Sequence, residues 1–215
     1  MKFIVTAGPT REFLDPFRFI SNPSSGKMGF ALARAARERG GEVALISGPV
    51  VLDPPPGVEL VPVTSARRMR DEVFRRLPGA GAVIMAAAVS DYRPARYSRK
   101  KLKKGPGRLS LDLVRTPDIL GELGRKKGEV VLVGFSAETE NIVDNAAEKL
   151  KSKNLDLIVG NDISAPGSGF AAETNRAVVI DRTGVVEEWP LLTKNELAER
   201  IIDRVLTIRA GRGRS

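Results

Sequence analysis

The chain has 215 residues, 42% hydrophobic and 28% charged, with 35 Lys+Arg against 26 Asp+Glu, a formal +9. That is enough for one α/β domain, and no apolar run approaches the roughly 20 residues of a membrane span. Cysteine and histidine are both absent, which excludes disulfides, Cys or His zinc sites, thiol nucleophiles and Ser-His-Asp triads and leaves only a hard cation such as Mg²⁺ as a candidate metal.

KFIVT (2–6) is a short apolar run that breaks at Gly8-Pro9. It predicts a buried parallel strand rather than a signal peptide, so the chain is expected to be cytoplasmic. Next comes RFISNPSSGKMG (18–29), rich in small and polar residues, running into a helix over 28–39 that ends at Gly40-Gly41. EVALIS (42–47) and VELVPV (58–63) predict strands, and Thr64-Ser65 caps a helix over ARRMRDEVFRRL. AVIMAAA (82–88) is the most apolar strand and is placed at the centre. Residues 93–110, RPARYSRKKLKKGPGRLS, are polar and basic and predict a mobile flap. Pro117-Asp118 opens a short helix, with the proline at an early helical position. VVLVGF (130–135) predicts a strand, Ala137 to Lys153 a long helix, and LDLIVG (155–160) a further strand. NRAVVID and GVVEEWP predict a hairpin turned at Asp181–Gly184, and Lys194 to Arg209 a closing helix. Strands alternating with helices give the expected class: a doubly wound, Rossmann-like, mainly parallel α/β sheet with a C-terminal antiparallel hairpin, in one domain over 1–215.

In such sheets ligands bind at the carboxyl ends of the strands. Here those ends lead into AGPTRE, VSDYRP, SAETEN and NDIS. The turn after the first strand lacks G-x-G-x-x-G, which disfavours NAD or FAD. Gly26-Lys27 is not a P-loop, because Ser21 and Met28 stand where glycine and Ser/Thr are required. Ser24, Ser25 and Gly26 can still offer N–H and hydroxyl groups to an anion at a helix N-terminus; the competing reading is an ordinary serine cap. Asp91 can hold a metal or a ribose hydroxyl, or only start a turn. Asp118 can meet a ribose or only begin a helix, and Phe135 can stack on a base or fill the core. Lys149 and Lys153, four apart, share a helix face. The basic excess in RRMR reads as solvated surface. A nucleic-acid-binding module is the rival suggested by charge, but one Trp and two Tyr offer little stacking and no nucleic-acid motif is present.

In this order and spacing, TAGPTREFLDPFRFISNPSSGKMG, AAAVSDYRP, KLKK, TPDIL, GFSAETEN and KLKSKNLDLIVGNDIS resemble the phosphopantothenoylcysteine synthetase family, the phosphopantothenate–cysteine ligases of coenzyme A biosynthesis. The resemblance runs from residue 2 to about residue 162 and more weakly to the end. It implies that the carboxylate of 4′-phosphopantothenate attacks the α-phosphate of CTP, with Mg²⁺ on the triphosphate. The resulting acyl-cytidylate would then be opened by the amine of L-cysteine. KLKSKNLD is of the type found in CTP-using members; ATP is the alternative.

Carried over by matching position, the resemblance makes Asn22 and Lys101 catalytic: Asn22 polarises the acyl carbonyl, and Lys101 is the flap lysine. It makes Arg18 and Ala88 substrate-binding, with Arg18 reaching the phosphopantothenate phosphate across a dimer interface. Ser24, Ser25 and Gly26 would hold the triphosphate, and Asp91 and Asp118 would lie near ribose or metal, Asp91 being the metal ligand. Phe135, Lys149 and Lys153 would form the base pocket. The resemblance also implies a homodimer and a flavin-dependent decarboxylase as fusion or complex partner, with no nucleic acid or membrane partner. The chain begins at the first strand, so it is expected to be either a stand-alone enzyme or an excised domain.

Overall fold

The computed structural model describes residues 1–105, 107–138, 140–162, 169 and 172–212. In chain order the first elements are β1 (Lys2–Ala7), β2 (Arg11–Phe13), β3 (Phe19–Ser21), α1 (Lys27–Glu38), β4 (Glu42–Ser47), β5 (Glu59–Pro62), α2 (Ala66–Arg76) and β6 (Ala82–Met85). There follow β7 (Tyr92–Pro94), β8 (Leu113–Arg115), α3 (Ile119–Lys126), β9 (Val131–Glu138), α4 (Ile142–Ser152), β10 (Leu157–Asp162), β11 (Thr174–Asp181), β12 (Val186–Thr193) and α5 (Lys194–Arg212).

Among the described residues eight strands form one sheet in the order β12-β11-β10-β9-β6-β1-β4-β5, and two small ribbons pair β2 with β3 and β7 with β8. Within this sheet β10, β9, β6, β1, β4 and β5 are parallel, and β11 and β12 close one edge antiparallel. The chain order reverses between β1 and β6, the switch point where an open α/β sheet leaves a crevice.

The inner strands β1, β4, β6 and β9 read as apolar runs because both faces are covered. Phe3, Val5, Val133 and Val159 pack one way under Leu32 of α1 and Ile201 of α5. Their neighbours Ile4, Leu132 and Ile158 pack the other way, under Met69 of α2, Leu123 of α3 and Leu150 of α4. This is the two-residue pleat of a strand applied twice over.

Several local expectations are corrected. Pro117 lies outside α3, whose cap is Asp118, accepting from Gly121 N at 3.0 Å. Strand β9 continues to Glu138, and α4 starts only at Ile142, after Asn141 takes a left-handed φ of 51°. Residues 11–21 fold into a hairpin that the sequence did not announce. Its tip is held by Asp15, which accepts from Phe17 N and Arg18 N, each at 2.9 Å. The expected flap has an ordered root, where Tyr92 pairs with Arg115 and Pro94 with Leu113. The RRMR helix is not simply solvated either: Arg70 is bonded to Glu122 of α3, and Arg76 to Glu59 and Glu72. Among the described residues, no helix is long and apolar enough to cross a membrane.

Candidate functional site

Two adjoining cavities open over the switch point. The first, about 360 Å³, lies against the start of α1. The second, about 460 Å³, lies against α3 and the end of α4. Ala87, Val89, Asp91, Phe135 and Lys149 line both.

The floor of the first cavity is built by glycine. Gly26 caps α1 with a φ of 80° and no side-chain capping bond. A Cβ there would meet Val50 Cγ1 at 2.9 Å and Gly8 Cα at 3.5 Å, and Gly8 itself has a φ of 69°. Gly29 faces Ala7 so closely that a Cβ would fall 2.4 Å from the Ala7 Cβ, letting α1 lie directly on β1. The three glycines of the dinucleotide fingerprint are thus present in space as Gly8, Gly26 and Gly29, with residues 9–25 looped out between the first two. Ser24 Oγ accepts a long 3.4 Å bond from Gly26 N. With no acidic residue in its first turn, α1 turns its N-terminal residues Gly26 to Gly29 toward the cavity, where a helix N-terminus suits an anion.

Asn22 hangs over this floor. Its Nδ2 donates to the Ala88 carbonyl at 3.2 Å, and the Ala88 N–H donates to Gly8 O at 2.9 Å. The backbone after β6 is therefore tied both to the glycine turn and to Asn22. Ser24, Ser25, Gly26, Asn22 and Ala88 line the first cavity together with Lys27, Ser136, Asn161, Asn175 and Lys194.

The second cavity combines an aromatic ring with charge. Phe135 is half-buried and lies at the junction. Lys149 Nζ donates to the Phe135 carbonyl at 2.8 Å. Burial pushes the Lys149 ammonium down, while Glu138 and Asp91 pull it back. Lys153 is ion-paired with Asp118. Burial alone would raise the Asp118 carboxyl, but the Lys153 ammonium and the Gly121 N–H outweigh it and hold it low. Asn154 fixes this corner by donating to Gly124 O at 2.8 Å. A flat ring, two ammoniums and two carboxylates around one space can grip a polar heterocycle and its sugar hydroxyls.

Asp91 is exposed where the cavities meet. Among the described residues no group of three or more Asp and Glu could cage a metal. One carboxylate beside an anion floor does fit Mg²⁺ carried by a triphosphate, which keeps most of its ligands from water and phosphate.

Arg18 and Lys101 stand outside both cavities, at the hairpin tip. Arg18 is ion-paired with Asp15 and also donates to Leu102 O, while Leu102 N donates to Asp15 Oδ2 at 3.0 Å. Lys101 Nζ sits 5.2 Å over the Phe17 ring. Burial would raise the Asp15 carboxyl, yet the N–H groups of Leu102 and Phe17 and the Arg18 guanidinium lower it to about 2. The flap is thus docked on the hairpin through Asp15.

The sequence reading missed Lys27, Ser136, Asn175 and Lys194 as lining residues. One signal was legible: Thr193-Lys194-Asn195-Glu196 is a capping box, in which Glu196 N donates to Thr193 Oγ1 at 3.2 Å and Thr193 N to Glu196 Oε2 at 2.8 Å. In NDIS, Asn161 reaches the site, whereas residues 163 and 164 lie outside the described residues, as do residue 139 of SAETEN and residues 213–215 of the basic tail.

Residues 1–208 match the family described as DNA/pantothenate metabolism flavoprotein C-terminal domain. The chain is 48% identical over 206 residues to the coenzyme A biosynthesis bifunctional protein CoaBC of Bacillus subtilis, covering 95% of this chain and 51% of that protein. It is 45% identical over 209 residues to a cysteine/cysteine sulfinic acid decarboxylase of an unknown prokaryotic organism, covering 96% of this chain and 58% of that one. Among solved structures it is similar to the C-terminal domain of a CoaBC protein, with a TM-score of 0.82 and 41% identity over 95% of this chain and 93% of that one. The chain spans about half the length of the curated relatives it matches.

Proposed function

The chain belongs to the DNA/pantothenate metabolism flavoprotein C-terminal domain family, and from that premise we propose that it joins 4′-phosphopantothenate to L-cysteine at the expense of a nucleoside triphosphate, CTP in preference to ATP. The observation that carries the reading is the junction of an anion floor at Gly26 with an aromatic, doubly charged pocket at Phe135, Lys149 and Lys153. A nucleotide laid along it puts its base and ribose in the second cavity and its phosphates against α1.

In the first step a carboxylate oxygen of phosphopantothenate bonds to the α-phosphorus, the α–β phosphoanhydride breaks, and pyrophosphate leaves. In the second the amine of cysteine attacks the acyl carbonyl, loses a proton, and the nucleoside monophosphate departs. Neither step needs a protein nucleophile, in keeping with a chain that has no cysteine or histidine. The protein positions the reactants and steadies charge. Asn22, with one N–H given to Ala88 O, has its second to polarise the acyl carbonyl. Bound Mg²⁺, with Asp91 as its protein ligand, would neutralise the phosphates. Lys101 would join the site only once the flap leaves Asp15.

Arg18 is read as reaching the substrate of a second copy in a homodimer. Support comes from exposed apolar residues on the same two ribbons, Phe17, Tyr92 and Leu113 among them. Because the CoaBC relatives are bifunctional and about twice as long, a flavin-dependent decarboxylase is the expected fused or associated partner.

The test is pyrophosphate release by the purified protein with phosphopantothenate, L-cysteine and Mg²⁺, run in parallel with CTP and ATP. Release that needs phosphopantothenate and favours CTP is expected. A preference for ATP overturns the base-pocket assignment, and no release with either nucleotide overturns the reaction.

A further inference from the structure

A separate cavity of about 370 Å³ lies between the β2–β3 hairpin, the start of α2 and β7, and it shares no lining residue with the two cavities over the switch point. Three arginines converge on it: Arg11 of β2, Arg68 of α2 and Arg93 of β7. A backbone bond brings the first two together, since Arg11 N donates to Thr64 O at 2.7 Å just before α2. Arg93 follows Tyr92 along β7 and so projects from the opposite face of that ribbon; Tyr92 lines the second cavity instead. The apolar face that carries Tyr92 and this cavity are thus distinct.

None of the three is ion-paired among the described residues, whereas their neighbours on α2, Arg70 and Arg76, hold Glu122, Glu59 and Glu72. Two are steadied by groups that leave their charge in place. Arg11 lies 4.7 Å over the Phe19 ring, and Arg93 Nη1 donates to Pro94 O at 3.1 Å. The one carboxylate in the wall, Glu12, is buried and already accepts from Ala66 N at 2.8 Å. Ser65 accepts from Arg68 N, so the helix end is satisfied and the surplus of positive charge belongs to the side chains. Three guanidiniums against one carboxylate repel one another across the space unless an anion fills it. Each presents a fork of donors matched to a carboxylate or a phosphate.

We propose that Arg11, Arg68 and Arg93 form a second anion site, outside the nucleotide cavities, for a small molecule carrying a multivalent oxyanion: a phosphate monoester or a polycarboxylate. A volume of about 370 Å³ suits a small ligand rather than a nucleic acid or a peptide. Tyr97, from the flap side, adds a ring and a hydroxyl to the wall. The inference does not depend on which reaction the chain performs.

The experiment is calorimetric titration of the full chain with citrate, phenyl phosphate and, as the monovalent control, acetate. Citrate or phenyl phosphate should bind the wild type, and the bound anion should weaken by about tenfold or more in Arg68→Met and in Arg93→Met. The tighter of the two tells a polycarboxylate site from a phosphate-ester site. Arg67→Met, next in sequence but outside the cavity, and Lys153→Met, in the second cavity, should stay within about twofold of the wild type. Failure of the wild type to bind either multivalent anion overturns the inference, as does acetate bound equally well. An equal loss in Arg67→Met assigns the binding to general surface charge and overturns it. Loss in Lys153→Met with binding kept in Arg68→Met puts the anion in the nucleotide cavity and also overturns it. If Arg68→Met does not fold, Arg93→Met decides: weaker binding supports the site, and unchanged binding overturns it.

Discussion

Asn22 Nδ2 donates to the carbonyl of Ala88 at 3.2 Å across 66 residues of sequence. This bond closes the loop before α1 onto the end of β6 and fixes where the Asn22 amide points. On the proposed mechanism, Asn22→Ala removes the amide that polarises the acyl carbonyl and leaves the α1 floor in place. We expect kcat to fall by about a hundredfold or more with the nucleotide Kd within about twofold, as read by steady-state kinetics beside calorimetry. A loss confined to nucleotide binding would contradict the role.

Burial pulls the Lys149 ammonium below the ordinary lysine range. Its folded-state pKa is lowered, so the folded chain gives up this proton at lower pH than the unfolded one. The lysine therefore disfavours folding while protonated, and stability rises with pH through the window below the ordinary lysine value. Nucleotide binding should show the opposite trend and weaken as the ammonium discharges. Lys149→Arg should flatten that alkaline decline, and Lys149→Met should lower affinity by about tenfold at neutral pH. An alkaline profile identical in the wild type and Lys149→Arg would sink the assignment.

Gly29→Ala tests the seating of α1. The added methyl would fall 2.4 Å from the Ala7 Cβ and 2.8 Å from Thr6 O, so helix and strand must separate. Overpacking of this kind costs about 1–3 kcal/mol, or roughly 2–4 °C of Tm per kcal/mol in a chain of this size. Thermal melting measures the cost, and a parallel loss of nucleotide affinity is expected because the floor moves with the helix.

Asp15 anchors the flap. Its carboxyl, held at about 2, stays ionised in the folded chain where a free aspartate would take up a proton. Its contribution is therefore present above the ordinary carboxylate range and lost only as the pH falls through about 2. Asp15→Asn should free Leu102 and Arg18 at neutral pH and speed tryptic cleavage between Arg99 and Lys104. Cleavage at the wild-type rate would mean that the flap is docked by other contacts.

Asp156, at the amino ends of β9 and β10 and so at the opposite end of the strands from the cavities, is the counter-ion of a buried group. It accepts from Lys127 at 2.8 Å, from Arg182 at 3.2 Å and from Leu132 N at 2.8 Å, and it is also ion-paired with Arg212 near the end of α5. Asp156→Ala leaves the Lys127 ammonium buried without it and should cost about 3–5 kcal/mol. Lys127→Met should cost less, because it removes a desolvated charge instead of stranding one. Chemical denaturation of both variants gives the comparison.

Much of the sheet was legible because its strands are buried on both faces, and such strands announce themselves as continuous apolar runs. KFIVT, EVALIS and AVIMAAA needed no partner to be recognised. The β2–β3 and β7–β8 ribbons were not legible. A three-residue strand carries too few side chains to show a period, and these ribbons exist because Asp15 and the Tyr92–Arg115 pairing hold them. The start of α4 was misplaced for a related reason: SAETEN favours a helix locally, whereas pairing with β10 carries β9 on to Glu138.

By itself, the sequence determined which residue types were available for chemistry, the order of the buried strands, and the polar segments that would follow them. It also carried a resemblance long enough to name a reaction to test. Only the tertiary structure decided which polar segments share a cavity, and that Arg18 and Lys101 rest on the hairpin instead of in either cavity. It alone decided that Gly8, Gly26 and Gly29 act together and that Lys194 closes the first cavity. The physical reason is the range of the forces. Backbone preference and apolar periodicity act between near neighbours and leave their mark on short windows of sequence. Close approach of glycines, desolvation of a lysine and the gathering of Arg11, Arg68 and Arg93 around one cavity arise only when distant segments are packed together.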